Sequence, residues 1–183
     1  MQVALLISGF GGQGVMFAGQ LLAYAAMEQQ LEVTWIPSYG PEMRGGTAHC
    51  FVVISDKPIG SPLVRHPDVA LLMNTPSVHK YEAIVAAGGL VVYNQSLIPV
   101  APTRTDVTLL PIPATQEAES LGSPRLTNMV MLGAAMAHVH AVSIESLSSA
   151  LEAHLPTHHR DLLPANQHAL QIGVTYAQQL VPS

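Results

Sequence analysis

The opening stretch constrains the chain more than any other part of it. Gln2 to Ser8 is a short, β-rich apolar run that leads straight into Gly9-Phe10-Gly11-Gly12-Gln13-Gly14. A helical segment follows to about Gln30, with Val15, Ala18, Leu22 and Ala25 on one face. An apolar run without alternation is what a strand buried on both faces needs. A strand, a glycine turn and a one-sided helix in that order make the first two-thirds of a parallel β–α–β unit.

The same rhythm continues. Leu31 to Pro37 predicts a second strand, residues 38–46 a loop rich in Gly and Pro, and Thr47 to Ser55 a third strand. Asp56 to Pro67 is turn-rich, and Asp68 to Met73 predicts a fourth strand. Thr75 is placed to cap a helix that begins with Pro76 and ends near Gly88-Gly89. Strands are predicted at Leu90 to Asn94 and Val107 to Ile112, and helices at Ala114–Leu121, Arg125–His140, Ser143–His154 and Ala165–Leu180. The prediction is a three-layer, Rossmann-like α/β domain with a mostly parallel sheet and a helical C-terminal third. No repeat or linker divides it, so residues 1–183 read as a single domain.

Gly9, Gly11 and Gly14 match G-x-G-x-x-G in its required strand-to-helix setting. Glycines let the turn close and let backbone N–H groups approach an anion at the helix N-terminus. Phosphate binding and a simple tight crossover explain the pattern equally well. A dinucleotide site asks in addition for an Asp or Glu at the end of the second strand, to bind ribose hydroxyls. That strand ends in Ile36-Pro37-Ser38, and Glu42 lies beyond it in the loop, so NAD or flavin binding ranks lower.

The second informative stretch is Ser38-Tyr39-Gly40-Pro41-Glu42-Met43-Arg44-Gly45-Gly46-Thr47. Arg44 is one of only seven basic residues, so its placement before two glycines stands out. In a doubly wound sheet this loop opens at the carboxyl edge beside the glycine loop. An arginine with open amides suits a phosphate or carboxylate; pairing with Glu42 or with a partner chain would satisfy it as well.

Taken together, Gly9 to Gly14, Ser38 to Gly46 and Ile54-Ser55-Asp56 resemble the gamma subunit of 2-oxoacid:ferredoxin oxidoreductases. Pro113-Ala114-Thr115, Asn128-Met129-Val130-Met131-Leu132-Gly133-Ala134, and Asn166 shortly before Gly173 resemble it too, so the likeness runs over nearly the whole chain. The wording of Ser38 to Gly46 is nearer to the 2-oxoglutarate and branched-chain members than to the indolepyruvate ones.

The resemblance implies oxidative decarboxylation of a 2-oxoacid with coenzyme A, giving acyl-CoA, carbon dioxide and reduced ferredoxin. It implies thiamine diphosphate with magnesium, and iron–sulfur clusters, in partner subunits: thiamine-binding alpha and beta chains and a ferredoxin-like chain, with ferredoxin as acceptor. The sequence agrees with that division. It has one cysteine, Cys50, and no Gly-Asp-Gly stretch of the kind that introduces a magnesium-diphosphate site. Two anion-friendly elements at one sheet edge make Gly9, Gly11, Gly12, Gln13, Gly14, Tyr39, Glu42, Arg44, Gly45, Gly46 and Asn128 the expected contacts to coenzyme A or thiamine diphosphate at a subunit junction. Catalytic and metal-ligating residues are not expected in this chain. A stand-alone NAD- or FAD-binding Rossmann oxidoreductase, and a ligand-free assembly module with the same partners, remain the alternatives.

Composition sets the outer bounds. Hydrophobic residues reach 49% and charged ones only 10%, so part of the surface is expected to be covered by partner chains or by a second copy. No apolar run approaches the roughly 20 residues that span a bilayer, and the first strand lacks a signal peptide's basic start, so a cytoplasmic location is expected. Seven Lys plus Arg against twelve Asp plus Glu leave no basic stripe for nucleic acid. His138 and His140, and the adjacent His158 and His159, are expected to point apart rather than share a metal. Cys50, mid-strand among Phe51, Val52 and Val53, reads as a buried small hydrophobe. Met129, Met131 and Met136 read as core or subunit-contact residues of an apolar helix whose small residues allow close packing.

Overall fold

The computed structural model describes residues 1–38 and 47–180. The first apolar run forms β1 (Gln2–Phe10) at the middle of a six-stranded sheet, which is why both of its faces are buried. Chain order continues as α1 (Val15–Glu28), β2 (Glu32–Ser38), β3 (Thr47–Ser55), β4 (Val69–Leu72), α2 (Thr75–Tyr81), β5 (Leu90–Asn94) and β6 (Thr108–Ile112). The C-terminal third is helical: α3 (Ala114–Ser120), α4 (Thr127–Val139), α5 (Ile144–His154) and α6 (Leu163–Leu180).

Strand order is β2-β3-β1-β4-β5-β6. β1, β4, β5 and β6 pair in parallel, while β3 runs antiparallel to both β1 and β2. β2 therefore points the same way as β1 but sits one strand away, at the sheet's edge. An edge position suits it, because Pro37 has no N–H to offer a second neighbour.

Side chains alternate between two cores, as a strand's two-residue period demands. Leu5, Ile7, Val52, Ile54, Leu71, Val92 and Leu110 face one side, packed beneath α1, α4 and α6. Leu6, Ala70, Leu72, Val91 and Tyr93 face the other, under α2 and the following segment through Ile98. The β1-to-β2 and β4-to-β5 connections thus lie on opposite faces. The chain changes direction across the sheet between β1 and β4, and their carboxyl ends form the switch point where α/β sheets hold ligands.

α4 is buried from Thr127 to Met136, including Met129, Met131 and Met136, which settles those methionines in the core. Gly133 and Gly173 explain how: a Cβ at Gly133 would overlap the carbonyl oxygen of Leu170, and one at Gly173 that of Val130. The backbones of α4 and α6 touch.

Three boundaries differ from expectation. β1 runs on to Phe10 because Gly9 and Phe10 pair with Ala48 and Thr47, so Gly9 is a strand residue rather than part of the turn. The cap of α2 is Asn74, whose Oδ1 accepts the Ser77 N–H at 2.9 Å; Thr75 is already helical. That helix also ends early, passing into a 3₁₀ turn at Glu82–Ile84 instead of reaching Gly88. Beyond it the Ala86 N–H donates to the Pro67 carbonyl at 2.9 Å rather than back along the helix, and the Arg104 guanidinium donates to the carbonyls of Glu82 and Val85, each at 3.0 Å.

Candidate functional site

β1 delivers the glycine loop to the switch point. Gly12 and Gly14 adopt φ of 92° and 74°, the left-handed region that glycine enters at least cost. Gly14 is the N-cap of α1 and supplies no side chain, so the helix's first turn is not capped from within. Gly11 and Gly12 are exposed, and their N–H groups with that of Gly14 meet no acceptor among the described residues. These are donors without a described acceptor at a helix N-terminus, the arrangement that receives anions.

Two side chains brace the loop. On the α4 side, Asn128 is nearly buried and donates from Nδ2 to the Gly14 carbonyl at 3.1 Å, while its Oδ1 accepts the Met129 N–H at 2.9 Å. A Cβ on Gly14 would run into the Asn128 amide, so close approach, beyond turn geometry, requires glycine there. On the other side, Gln13 folds back on its own loop. Its Oε1 accepts the Phe10 N–H at 2.6 Å and the Asn74 Nδ2–H at 3.3 Å. Gly9 leaves room for that oxygen: a Cβ there would sit 2.6 Å from it.

Of the residues expected from sequence, Gly9, Gly11, Gly12, Gln13, Gly14 and Asn128 come together at this edge. Tyr39, Glu42, Arg44, Gly45 and Gly46 lie outside the described residues. The strands flanking that stretch are described: Thr47 pairs with Phe10 and Ser38 with His49, so both end at the edge that carries the glycine loop. β2's last residues carry no carboxylate, which leaves the dinucleotide reading without its ribose contact among the described residues.

Sequence reasoning missed Asn74, Asn94 and Thr127. Asn94 is fully buried; its Nδ2 donates to the Met73 carbonyl at 3.2 Å and to Thr115 Oγ1 at 2.8 Å. Thr127 Oγ1 meets Thr115 Oγ1 at 3.3 Å, tying β5 to the starts of α3 and α4. The available signal was positional, since an Asn closing an apolar strand run before a helix start is a capping signature. Beside the loop, Asn128 also lines a cavity of about 500 Å³, with Phe17, Arg125, Leu155, His159 and Asn166 among its other walls. That volume lies in the range of small-molecule pockets.

Cys50 is fully buried, and its Sγ donates to the Val15 carbonyl at 3.6 Å. Burial pushes the thiol up to about 12, so at neutral pH it is protonated rather than a thiolate nucleophile. The His158 and His159 rings do not point apart: their centroids are 4.2 Å from each other. Adjacent residues in the 3₁₀ turn over Thr157–Leu162 bring them together. Among the described residues, no three His, Cys, Asp or Glu side chains gather around one point, and no helix is long and apolar enough to cross a membrane.

Comparison with known proteins places these features in context. The model of the family described as pyruvate ferredoxin/flavodoxin oxidoreductase matches residues 4–176. Ketoisovalerate oxidoreductase subunit VorA of Methanothermobacter thermautotrophicus is 42% identical over 136 residues, covering 74% of this chain and 28% of the relative. The chain thus spans little more than a quarter of that relative's length. 2-oxoglutarate synthase subunit KorC of Methanocaldococcus jannaschii is 38% identical over 168 residues, covering 89% of this chain and 90% of the relative. Among solved structures, the gamma subunit of a keto/oxoacid ferredoxin oxidoreductase from Geobacter sulfurreducens superposes with a TM-score of 0.85 at 27% identity, over 97% of this chain and 99% of that one. A 2-oxoglutarate:ferredoxin oxidoreductase from Magnetococcus marinus, solved with 2-oxoglutarate, coenzyme A and succinyl-CoA bound, gives 0.89 at 25% identity, over 100% of this chain and 32% of that one.

Proposed function

The chain belongs to the pyruvate ferredoxin/flavodoxin oxidoreductase family, and we propose that it works as the gamma-type subunit of a cytoplasmic, multi-subunit 2-oxoacid:ferredoxin oxidoreductase. That enzyme would convert a 2-oxoacid and coenzyme A, with oxidised ferredoxin, into acyl-CoA, carbon dioxide and reduced ferredoxin. Relatives named for ketoisovalerate and for 2-oxoglutarate support a branched-chain 2-oxoacid or 2-oxoglutarate as substrate.

Thiamine diphosphate would stabilise the carbanion left by decarboxylation, and iron–sulfur clusters would carry single electrons to ferredoxin. A cluster would need several thiolates, and the one cysteine of this chain is buried in mid-strand. The reading therefore assigns the cofactors to alpha, beta and ferredoxin-like partner chains, and to this chain the shaping of a subunit junction. There, residues 1–183 act as one unit.

The observation that carries a direct ligand role is the braced glycine loop, whose N–H groups at the switch point have no acceptor among the described residues. A hydrogen bond to a charged group contributes roughly 1.5–3 kcal/mol, so two or three such donors hold a phosphate of coenzyme A. Arg44, which falls between β2 and β3 in sequence, would add a positive charge for the same phosphate.

Anaerobic purification of the tagged chain from its host tests the assembly. The expected result is a brown complex that reduces a viologen dye only with a 2-oxoacid and coenzyme A, and varying the oxoacid names the substrate. A colourless, inactive single chain would refute it. In the reconstituted complex, Arg44→Ala is expected to raise the KM for coenzyme A. If KM and kcat both stay at their native values, Arg44 has no direct role.

A further inference from the structure

We propose that Asn74 is a positioning residue that fixes the direction of the Gln13 amide, so that the glycine loop offers the Gln13 Nε2–H₂ rather than its carbonyl oxygen to a phosphate of coenzyme A. The inference deepens the ligand role assigned to this loop and rests on it.

The orientation of both amides follows from groups whose polarity is fixed. The Ser77 N–H can only donate, so the Asn74 atom it meets at 2.9 Å is the carbonyl Oδ1. Nδ2 must then be the end of Asn74 that turns to Gln13. The Phe10 N–H can likewise only donate, so the Gln13 atom 2.6 Å from it is Oε1. Two donors, one from each side, converge on that oxygen. The Gln13 Nε2–H₂ is thereby directed away from both, and it has no acceptor among the described residues. Gln13 is half-buried beside the exposed Gly11 and Gly12, whose N–H groups are also without described acceptors.

If the Gln13 amide turned over, the loop would expose a carbonyl oxygen next to those N–H groups and would repel a phosphate. The Phe10 N–H alone opposes that reversal from within the loop. Asn74 opposes it from β4's end, and Asn74 is held rigidly: it is 1% exposed and anchored by the cap it makes on α2. One buried amide therefore links the cap of a helix on one sheet face to the loop that opens the helix on the other.

Asn74→Asp separates the two jobs, because Asp caps a helix about as well as Asn while it has no N–H to give Gln13. Gln13→Glu is the companion variant: it keeps an oxygen for Phe10 and Asn74 but turns the outward donor into an acceptor. Both are measured in the reconstituted complex as KM for coenzyme A, kcat and thermal midpoint. Loss of one hydrogen bond to a charged group predicts that Gln13→Glu raises KM about tenfold or more. Asn74→Asp is expected to raise it several-fold, with kcat within about twofold and a lowered thermal midpoint, because a carboxylate is costly to bury at this position. An Asn74→Asp enzyme with native KM beside a Gln13→Glu enzyme with raised KM overturns the positioning role and leaves the loop's ligand role standing. Native KM in both overturns the two together. Asn74→Ala loses the cap and the Gln13 contact together, and a native KM beside its lowered thermal midpoint makes Asn74 a structural cap and nothing more.

Discussion

At Gly14 two demands coincide that a sequence motif cannot distinguish. Its φ of 74° is a conformation that costs other L-residues roughly 1–2 kcal/mol. Independently, its Cα hydrogens face the Asn128 amide so closely that no Cβ fits. Gly14→Ala is therefore expected to lose about 2 kcal/mol or more in urea unfolding. In a Gly14→Ala, Asn128→Gly background the overlap disappears and the backbone strain stays, so only part of the further loss should remain. If alanine at position 14 costs the same in both backgrounds, Asn128 does not press on the loop. The glycine pattern itself was plain in the sequence, and so was the Asn128-Met129 pair. Their contact was not, because 114 residues separate them and no local periodicity carries such a distance. Asn74 was overlooked for a different reason: Thr75 and Asn74 are both acceptable caps, and only the fold decides which carbonyl faces Ser77.

Among the elements, α4 and α6 show what small residues are for. Gly133 and Gly173 meet the backbone of the opposite helix, a contact in which nothing flexible can yield. Gly173→Ala should push the helices apart and cost about 1–3 kcal/mol, seen as a lower denaturation midpoint with an unchanged denaturant slope. An unchanged midpoint would mean that the pair slides without penalty. Helical character and apolar content made α4 visible from sequence, and Gly133 with its alanines suggested a close neighbour. Which helix that neighbour is emerged only from the packing. The shortened α2 is the converse case. Nothing in Val78 to Ala87 forbids a longer helix; where it stops, Ala86 donates to Pro67 and Arg104 binds the carbonyls of Glu82 and Val85, all partners from outside the helix.

Across the whole molecule, the buried thiol of Cys50 links stability to pH. Its ordinary value of 9.0 holds when unfolded, while burial pushes it to about 12 in the folded chain. The folded state therefore keeps a proton that the unfolded state releases. The contribution is complete below pH 9.0 and is lost as pH rises towards 12, at about 1.4 kcal/mol per pH unit. Unfolding free energies across that window are expected to fall less steeply in Cys50→Ala than in the native chain; equal slopes would place the thiol in contact with water. The alternation of strand and helix, the two-sided apolar runs and the glycine turn determined the α/β class, the mostly parallel sheet and the loop at its edge. They did so because burial and backbone geometry act on residues near one another in sequence. Tertiary structure alone decided that β3 slips in antiparallel between β1 and β2, and that β4 takes the free side of β1. It alone brought Asn74 and Asn128 to either side of the glycine loop. Those choices depend on which surfaces meet once every element has formed, and that competition is settled by the packing of the entire chain.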